Sequence, residues 1–243
     1  MSQFETIILE KRDALAWVTL NRPQVLNAYN VRMRDEVYEA LGLIATDPDI
    51  LVGIFKGAGP RAFCAGADLT EFGSAPSQAV ARGVRFERDV WARFLKMEKP
   101  LIAAIHGFCL GSGLEIALCC DLRLATPDAR FGLPETGLGM IPAAAGTQTF
   151  PRTVGRARGL DALLTAEIWD APQALNAGLV TRLAPKESLY DEAAAMAERL
   201  AALDQPALRL AKQAVLRGLD TTLERGLHIE ANAARRLAAV REG

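Results

Sequence analysis

The 243-residue sequence lacks an excess of either charge: 28 lysines and arginines stand against 29 aspartates and glutamates, interspersed, for a formal net charge of -1. Proteins that bind a phosphate backbone do so through clustered cations, so the absence of a basic block or stripe argues against a nucleic-acid or membrane-surface partner. Cysteine is scarce as well. Cys64, Cys109, Cys119 and Cys120 form no CxxC pair, and two adjacent cysteines do not ordinarily bridge, so neither a disulfide framework nor a metal site is expected. The four are read as reduced core thiols. The two histidines, His106 and His228, are read as structural. Residues 1–12 alternate apolar and charged side chains, without a basic segment followed by a continuous apolar one, which predicts a cytoplasmic protein. The apolar stretch at 101–120 contains His106, Glu115 and the glycines 107, 111 and 113, which break a lipid-exposed span.

What is present is a chain that is 50% hydrophobic, enough for one substantial core. Residues 6–10 and 15–20 read as strands separated by a charged turn at Lys11, Arg12 and Asp13. An amphipathic helix follows, with Val31, Val37, Leu41 and Ile44 on one stripe. Apolar runs at 50–56, 101–105 and 122–125 then alternate with helical stretches, predicting stacked β and α units in an α/β fold. From Ser188 onward strand signals cease. Ser188 with Asp191 opens one helix, Pro206 sits just inside a second that Gly218 closes, and Thr221 with Glu224 opens a third. The chain therefore divides into 1–187 and a helical region 188–243. The last helix carries an apolar stripe, Leu223, Leu227, Ala234, Leu237 and Val240, that requires a partner, either within the chain or on a second copy.

Chemistry concentrates between Arg61 and Gly146. The turn Ala62-Phe63-Cys64-Ala65-Gly66-Ala67-Asp68-Leu69 is made of small residues that let a ligand approach the backbone, although, taken alone, a plain loop with Asp68 as a helix cap is the commoner reading of such a stretch. The second turn, residues 106–115, sets Gly111 and Gly113 around Ser112 ahead of an apolar helix at 115–120. It exposes amides where a helix dipole favours developing negative charge. Three other motifs fail there. A dinucleotide fingerprint wants Gly or Ala where Ile116 stands, a serine elbow wants glycine where Leu110 and Leu114 stand, and no Gly-Lys-Ser/Thr follows for a phosphate loop.

Glu115 has apolar neighbours on its helix, and burial moves a carboxyl toward the range useful for proton transfer near neutral pH. Glu135 lies in a segment, 131–142, too rich in glycine and proline for a regular helix, and is read as a loop carboxylate. Taken singly, each glutamate is adequately explained as structural. The combination with the two turns is what points to an acid/base pair beside an oxyanion site.

With both turns and both glutamates in place, the chain resembles the enoyl-CoA hydratase/isomerase (crotonase) superfamily. The similarity runs through Leu20-Asn21-Arg22-Pro23, Leu26-Asn27-Ala28, residues 63–69, 107–121 and 131–135, Gly146-Thr147-Gln148 and Ala177-Gly178-Leu179-Val180. The resemblance implies a crotonase-like spiral of ββα units, residues 1–187, and a C-terminal helical trimerisation region, residues 188–243, in a homotrimer or homohexamer. It implies the amides of Ala67 and Ser112 as oxyanion donors, Glu115 and Glu135 as the catalytic pair, and Val25, Leu26, Ala65, Ala67, Asp68 and Leu69 along the coenzyme A path. Coenzyme A enters as part of an acyl-CoA substrate, with no permanently bound cofactor and no metal. The implied reaction is reversible syn hydration of 2-enoyl-CoA to 3-hydroxyacyl-CoA. Double-bond isomerisation, another acyl-CoA lyase or hydrolase activity, and a non-catalytic RNA-binding relative are the alternatives. Ser112 stands where many hydratases have glycine, and Gln24 and Thr70 where they often have lysine near the coenzyme. The wall around the acyl group is expected from residues 71–94 and the last helix.

Overall fold

The computed structural model describes residues 4–71 and 87–242. Two strands open the fold, β1 (Ile7–Arg12) and β2 (Leu15–Leu20), paired antiparallel about a turn in which Asp13 takes φ 51°. Lys11 and Arg12, expected in that turn, instead extend the strand and pair with Ala16 and Leu15. Helix α1 (Val31–Thr46) follows, its first turn capped by the Asn30 side chain, which accepts from the Met33 amide at 2.9 Å. Val37, Leu41 and Ile44 are buried as their spacing predicts, whereas Val31 is 44% exposed.

Next come β3 (Val52–Gly57), β4 (Ala62–Cys64), α2 (Val90–Leu95), β5 (Leu101–Ile105), β6 (Phe108–Leu110), α3 (Ser112–Cys119), β7 (Leu122–Ala125), β8 (Arg130–Gly132), α4 (Gly146–Val154), α5 (Arg156–Thr165), β9 (Trp169–Asp170), α6 (Ala171–Asn176) and β10 (Arg182–Leu183). The first strand of each pair, β3, β5 and β7, joins a six-stranded sheet of order β1-β2-β3-β5-β7-β10. The second strand, β4, β6 and β8, joins a smaller sheet of order β4-β6-β8-β9. A helical stretch then returns the chain to the next pair. This is the repeated ββα spiral that the resemblance implied, and its consequence is that the short strands end side by side.

Apart from the β1–β2 pair the larger sheet is parallel, and its central strands are covered on both faces, as parallel sheets require. On β2, Ala16, Val18 and Leu20 face the main core. Leu15 and Trp17 alternate to the other face, joining Ile54, Ile102 and Leu124 under Leu189, Ala193, Met196 and Ala197 of helix α7 (Leu189–Ala201). The four cysteines are free and buried.

The C-terminal helices form as expected but with different caps. The Ser188 hydroxyl pairs with Glu192 at 2.9 Å rather than with a helix amide. Helix α8 (Gln205–Leu219) is capped by Asp204, which accepts from the Ala207 amide at 2.8 Å, and it runs one residue past Gly218. Helix α9 (Leu223–Glu242) begins after Thr222, whose hydroxyl accepts from the Arg225 amide at 3.4 Å, in place of the expected Thr221. It packs along α8, leaving Leu223 80%, Leu227 55% and Val240 61% exposed. Among the described residues no helix is long and apolar enough to cross a membrane.

Candidate active site

Both glycine-rich turns leave the small sheet at the same end of its strands, because β4 and β6 are parallel neighbours. Asn27 fixes the first turn from below. It is fully buried, and its side-chain amide donates to the carbonyls of Ala58 (2.9 Å), Ala62 (2.9 Å) and Phe63 (3.2 Å) while its oxygen accepts from the Arg22 amide at 2.9 Å. The turn is then pinned to Tyr29, whose amide donates to the Gly66 carbonyl (2.8 Å) and whose carbonyl accepts from the Asp68 amide (2.9 Å). Gly66 sits at φ 112°, a conformation open to glycine. That pairing turns the Ala67 amide the other way.

The second turn closes on the first. Gly111 has φ 48° and ψ -126°, and a Cβ there would lie 2.9 Å from a Glu135 oxygen and 3.4 Å from Gly66 Cα. A Cβ at Gly113 would meet the Cys64 carbonyl oxygen at 2.2 Å, so α3 packs backbone to backbone on β4. Ser112 opens α3, which begins three residues before the expected 115–120, and its amide belongs to the first helical turn, where intrahelical acceptors are missing. Among the described residues neither the Ala67 nor the Ser112 amide donates a hydrogen bond.

Glu115, one turn into α3, is 1% exposed. Its Oε1 accepts from the amides of Ala144 (2.8 Å) and Gly146 (2.9 Å), a clamp made possible by Ala145, held at φ 79° between them. Burial, reinforced by the nearby charge of Glu135, pushes its carboxyl up to about 7 despite those amides. Glu135 lies in a short 3-10 turn, Pro134–Leu138, directly after β8, where a loop was expected. Burial raises its pKa too, and its Oε2 is shielded from solvent with no hydrogen-bond partner.

Glu115 and Glu135 line one cavity of about 450 Å³ together with Ala65, Ala67, Leu69 and Ser112. Its remaining wall is mostly apolar, with Tyr29, Trp91, Leu138, Met140 and Ile141. Of the other residues implied for the coenzyme path, Val25, Leu26 and Asp68 do not line this cavity. Leu26 lies beside it, its carbonyl accepting from the Ala65 amide at 3.0 Å. Asp68 is engaged elsewhere: it accepts from the Thr70 hydroxyl (2.6 Å) and pairs with Arg22 (2.8 Å), and these partners lower its pKa. In the stretch expected to wall the acyl group, Trp91 lines the cavity and 72–86 lies outside the described residues. Among the described residues of the last helix, none lines it. Sequence reasoning missed the Ala144 and Gly146 amides and Tyr29. His106 does not line this cavity, and its ring is held by the Gly59 carbonyl (2.8 Å) and the Tyr190 hydroxyl (3.2 Å). No group of three His, Cys, Asp or Glu among the described residues is placed to hold a metal.

Residues 10–242 match the enoyl-CoA hydratase/isomerase family. The crotonyl-CoA hydratase of Syntrophomonas wolfei is 38% identical over 95% of this chain and 88% of its own length. The short-chain-enoyl-CoA hydratase of Clostridium acetobutylicum is likewise 38% identical, over 95% of this chain and 88% of its own. Among solved structures, the enoyl-CoA hydratase of Bacillus anthracis superposes with a TM-score of 0.90 at 34% identity, covering 95% of this chain and 90% of that one. By sequence and by fold, the chain belongs to the enoyl-CoA hydratase/isomerase family.

Proposed function

We propose that this chain is a lyase that catalyses the reversible syn hydration of 2-enoyl-CoA to 3-hydroxyacyl-CoA. The observation that carries this reading is the pair of carboxylates, Glu115 buried and Glu135 half-buried, both with raised pKa, in one cavity with two amides that have no other acceptor. The thioester oxygen binds the amides of Ala67 and Ser112. They stabilise the enolate character that develops when water adds at the β-carbon, and loss of one such donor typically costs about 2.7 to 4 kcal/mol of barrier. Ionised Glu115 orients the water by accepting its hydrogen bond. Glu135 delivers a proton to the α-carbon, and the proton that the water loses as its oxygen bonds to the β-carbon returns to the same carboxylate. Acid/base help of this kind contributes about 10² to 10⁴ in rate.

Ala65, Ala67 and Leu69 at the cavity wall, with Leu26 beside it, support a path for the coenzyme arm, to which the family resemblance adds Val25 and Asp68. Glu115 separates hydration from double-bond isomerisation, which needs the oxyanion amides and one base only. Initial rates on a 2-enoyl-CoA and on its 3-enoyl isomer test this: hydration of the former at least tenfold faster than conjugation of the latter is expected, and the reverse ranking would make the chain an isomerase. The exposed leucines of α8 and α9 support assembly as a trimer or hexamer, with an acyl-CoA as the small-molecule partner.

A further inference from the structure

Ser112 is the position in the two turns where a side chain adds a group that the reaction above does not use. Its amide opens α3, but its hydroxyl is a separate donor. Ser112 and Glu115 stand three residues apart on α3 and therefore share a helix face. Both line the cavity, and they are 9% and 1% exposed. The Oε1 atom of Glu115 is occupied by the Ala144 and Gly146 amides, which leaves the second oxygen to be oriented by something else. A hydroxyl on that face favours the ionised form of this carboxylate. The serine backbone has little freedom to re-aim, since Gly113 lies against the Cys64 carbonyl.

We propose that Ser112 is a positioning residue for Glu115, its hydroxyl donating to the carboxylate oxygen that the loop amides leave open. One residue then serves both halves of the reaction, the thioester oxygen through its amide and the attacking water through Glu115. The inference rests on the hydration reading. Glycine or alanine at this position retains the amide and loses the second role. The titratable groups facing Glu115 are Glu135 on the 3-10 turn, Tyr29 ahead of α1 and Cys119 on α3. Burial holds Tyr29 and Cys119 neutral by raising their pKa values, the thiol to about 12, and it raises the Glu135 carboxyl as well.

The test is the pH profile of kcat/KM for hydration of crotonyl-CoA by the wild type, Ser112→Ala and Ser112→Thr. The acid limb of the wild type is expected near pH 7, where Glu115 ionises. In Ser112→Ala the limb moves up by about half to one pH unit, the worth of one hydrogen bond, so activity falls about three- to tenfold at pH 6 and much less at pH 9. Ser112→Thr returns the limb to its place. A loss that is equal at every pH, or an unmoved limb, overturns the proposal. Infrared titration of the Glu115 carboxylate, assigned with Glu115→Gln, reads the same shift without turnover. If the wild type does not hydrate crotonyl-CoA, the hydration reading fails. An unshifted titration in Ser112→Ala defeats the positioning role regardless of activity.

Discussion

A carboxylate with 1% exposure is costly to keep charged, and Glu115 is kept near the balance point by opposing causes. Burial and the charge of Glu135 favour the proton, while two backbone amides and the Ser112 hydroxyl favour the charge. The clamp is itself held under strain, because Ala145 at φ 79° occupies a left-handed conformation that costs a non-glycine residue about 1–2 kcal/mol. Gly146 cannot carry a side chain without moving the carboxylate: an added Cβ would lie 2.8 Å from Glu115 Oε1 and 2.9 Å from Pro142 Cβ. Gly146→Ala is therefore expected to lower kcat for hydration at least about tenfold with an unchanged circular dichroism spectrum. Activity within twofold of wild type would show that the clamp does not position Glu115. At this scale the two glutamates and both turns were legible in the sequence, because titratable side chains and glycine clusters carry their chemistry in their identity. The Ala144 and Gly146 amides were not, since any residue supplies an amide and only the path of the chain decides where it points.

Among the elements, the start of the sheet depends on α1 through one buried carboxylate. Glu36 accepts from the amides of Glu5 (2.9 Å) and Thr6 (2.8 Å), from the Thr6 hydroxyl (2.6 Å) and from Arg32 (2.8 Å). Burial alone would raise its pKa, but the Arg32 and Thr6 side chains and the two amides outweigh it and hold the carboxyl at about 2. A carboxyl depressed on folding contributes stability that is complete above the unfolded value of about 4.5 and is lost as pH falls toward 2. Glu36→Gln is expected to destabilise the protein by roughly 1–3 kcal/mol at pH 7, and to narrow that difference below pH 4, in urea melts at both pH values. A difference that does not change with pH would contradict the assignment. Helix α1 could be read from its periodicity, and β2, β5 and β7 from their apolar runs. The small sheet could not: β4, β6 and β8 are three residues each and β9 is two, too short to show an alternation, yet they aim both turns. The same limit explains the caps, where Asp204 and Thr222 replaced neighbours of equal sequence merit.

On the scale of the molecule, the ββα spiral stacks three strand pairs so that residues 63–69, 107–115 and 131–135, far apart in the chain, converge on one cavity. Helices α8 and α9 lie away from that cavity and keep Leu219 78% and Leu223 80% exposed. Apolar side chains at such exposure contribute little to a monomer, so Leu219→Glu with Leu223→Glu is expected to cost the isolated chain under about 1 kcal/mol. Sedimentation should show a trimer or hexamer for the wild type that dissociates in the double variant, and a monomeric wild type would contradict the proposed assembly. The central claim is that water is added by two glutamates acting on a thioester held by two amides. Its most direct test is kcat/KM for crotonyl-CoA hydration, followed as loss of the conjugated enoyl absorbance, in the wild type, Glu115→Gln and Glu135→Gln. The expected result is a fall of about 10² to 10⁴ in each variant with folding intact. Near wild-type hydration by both variants would contradict it.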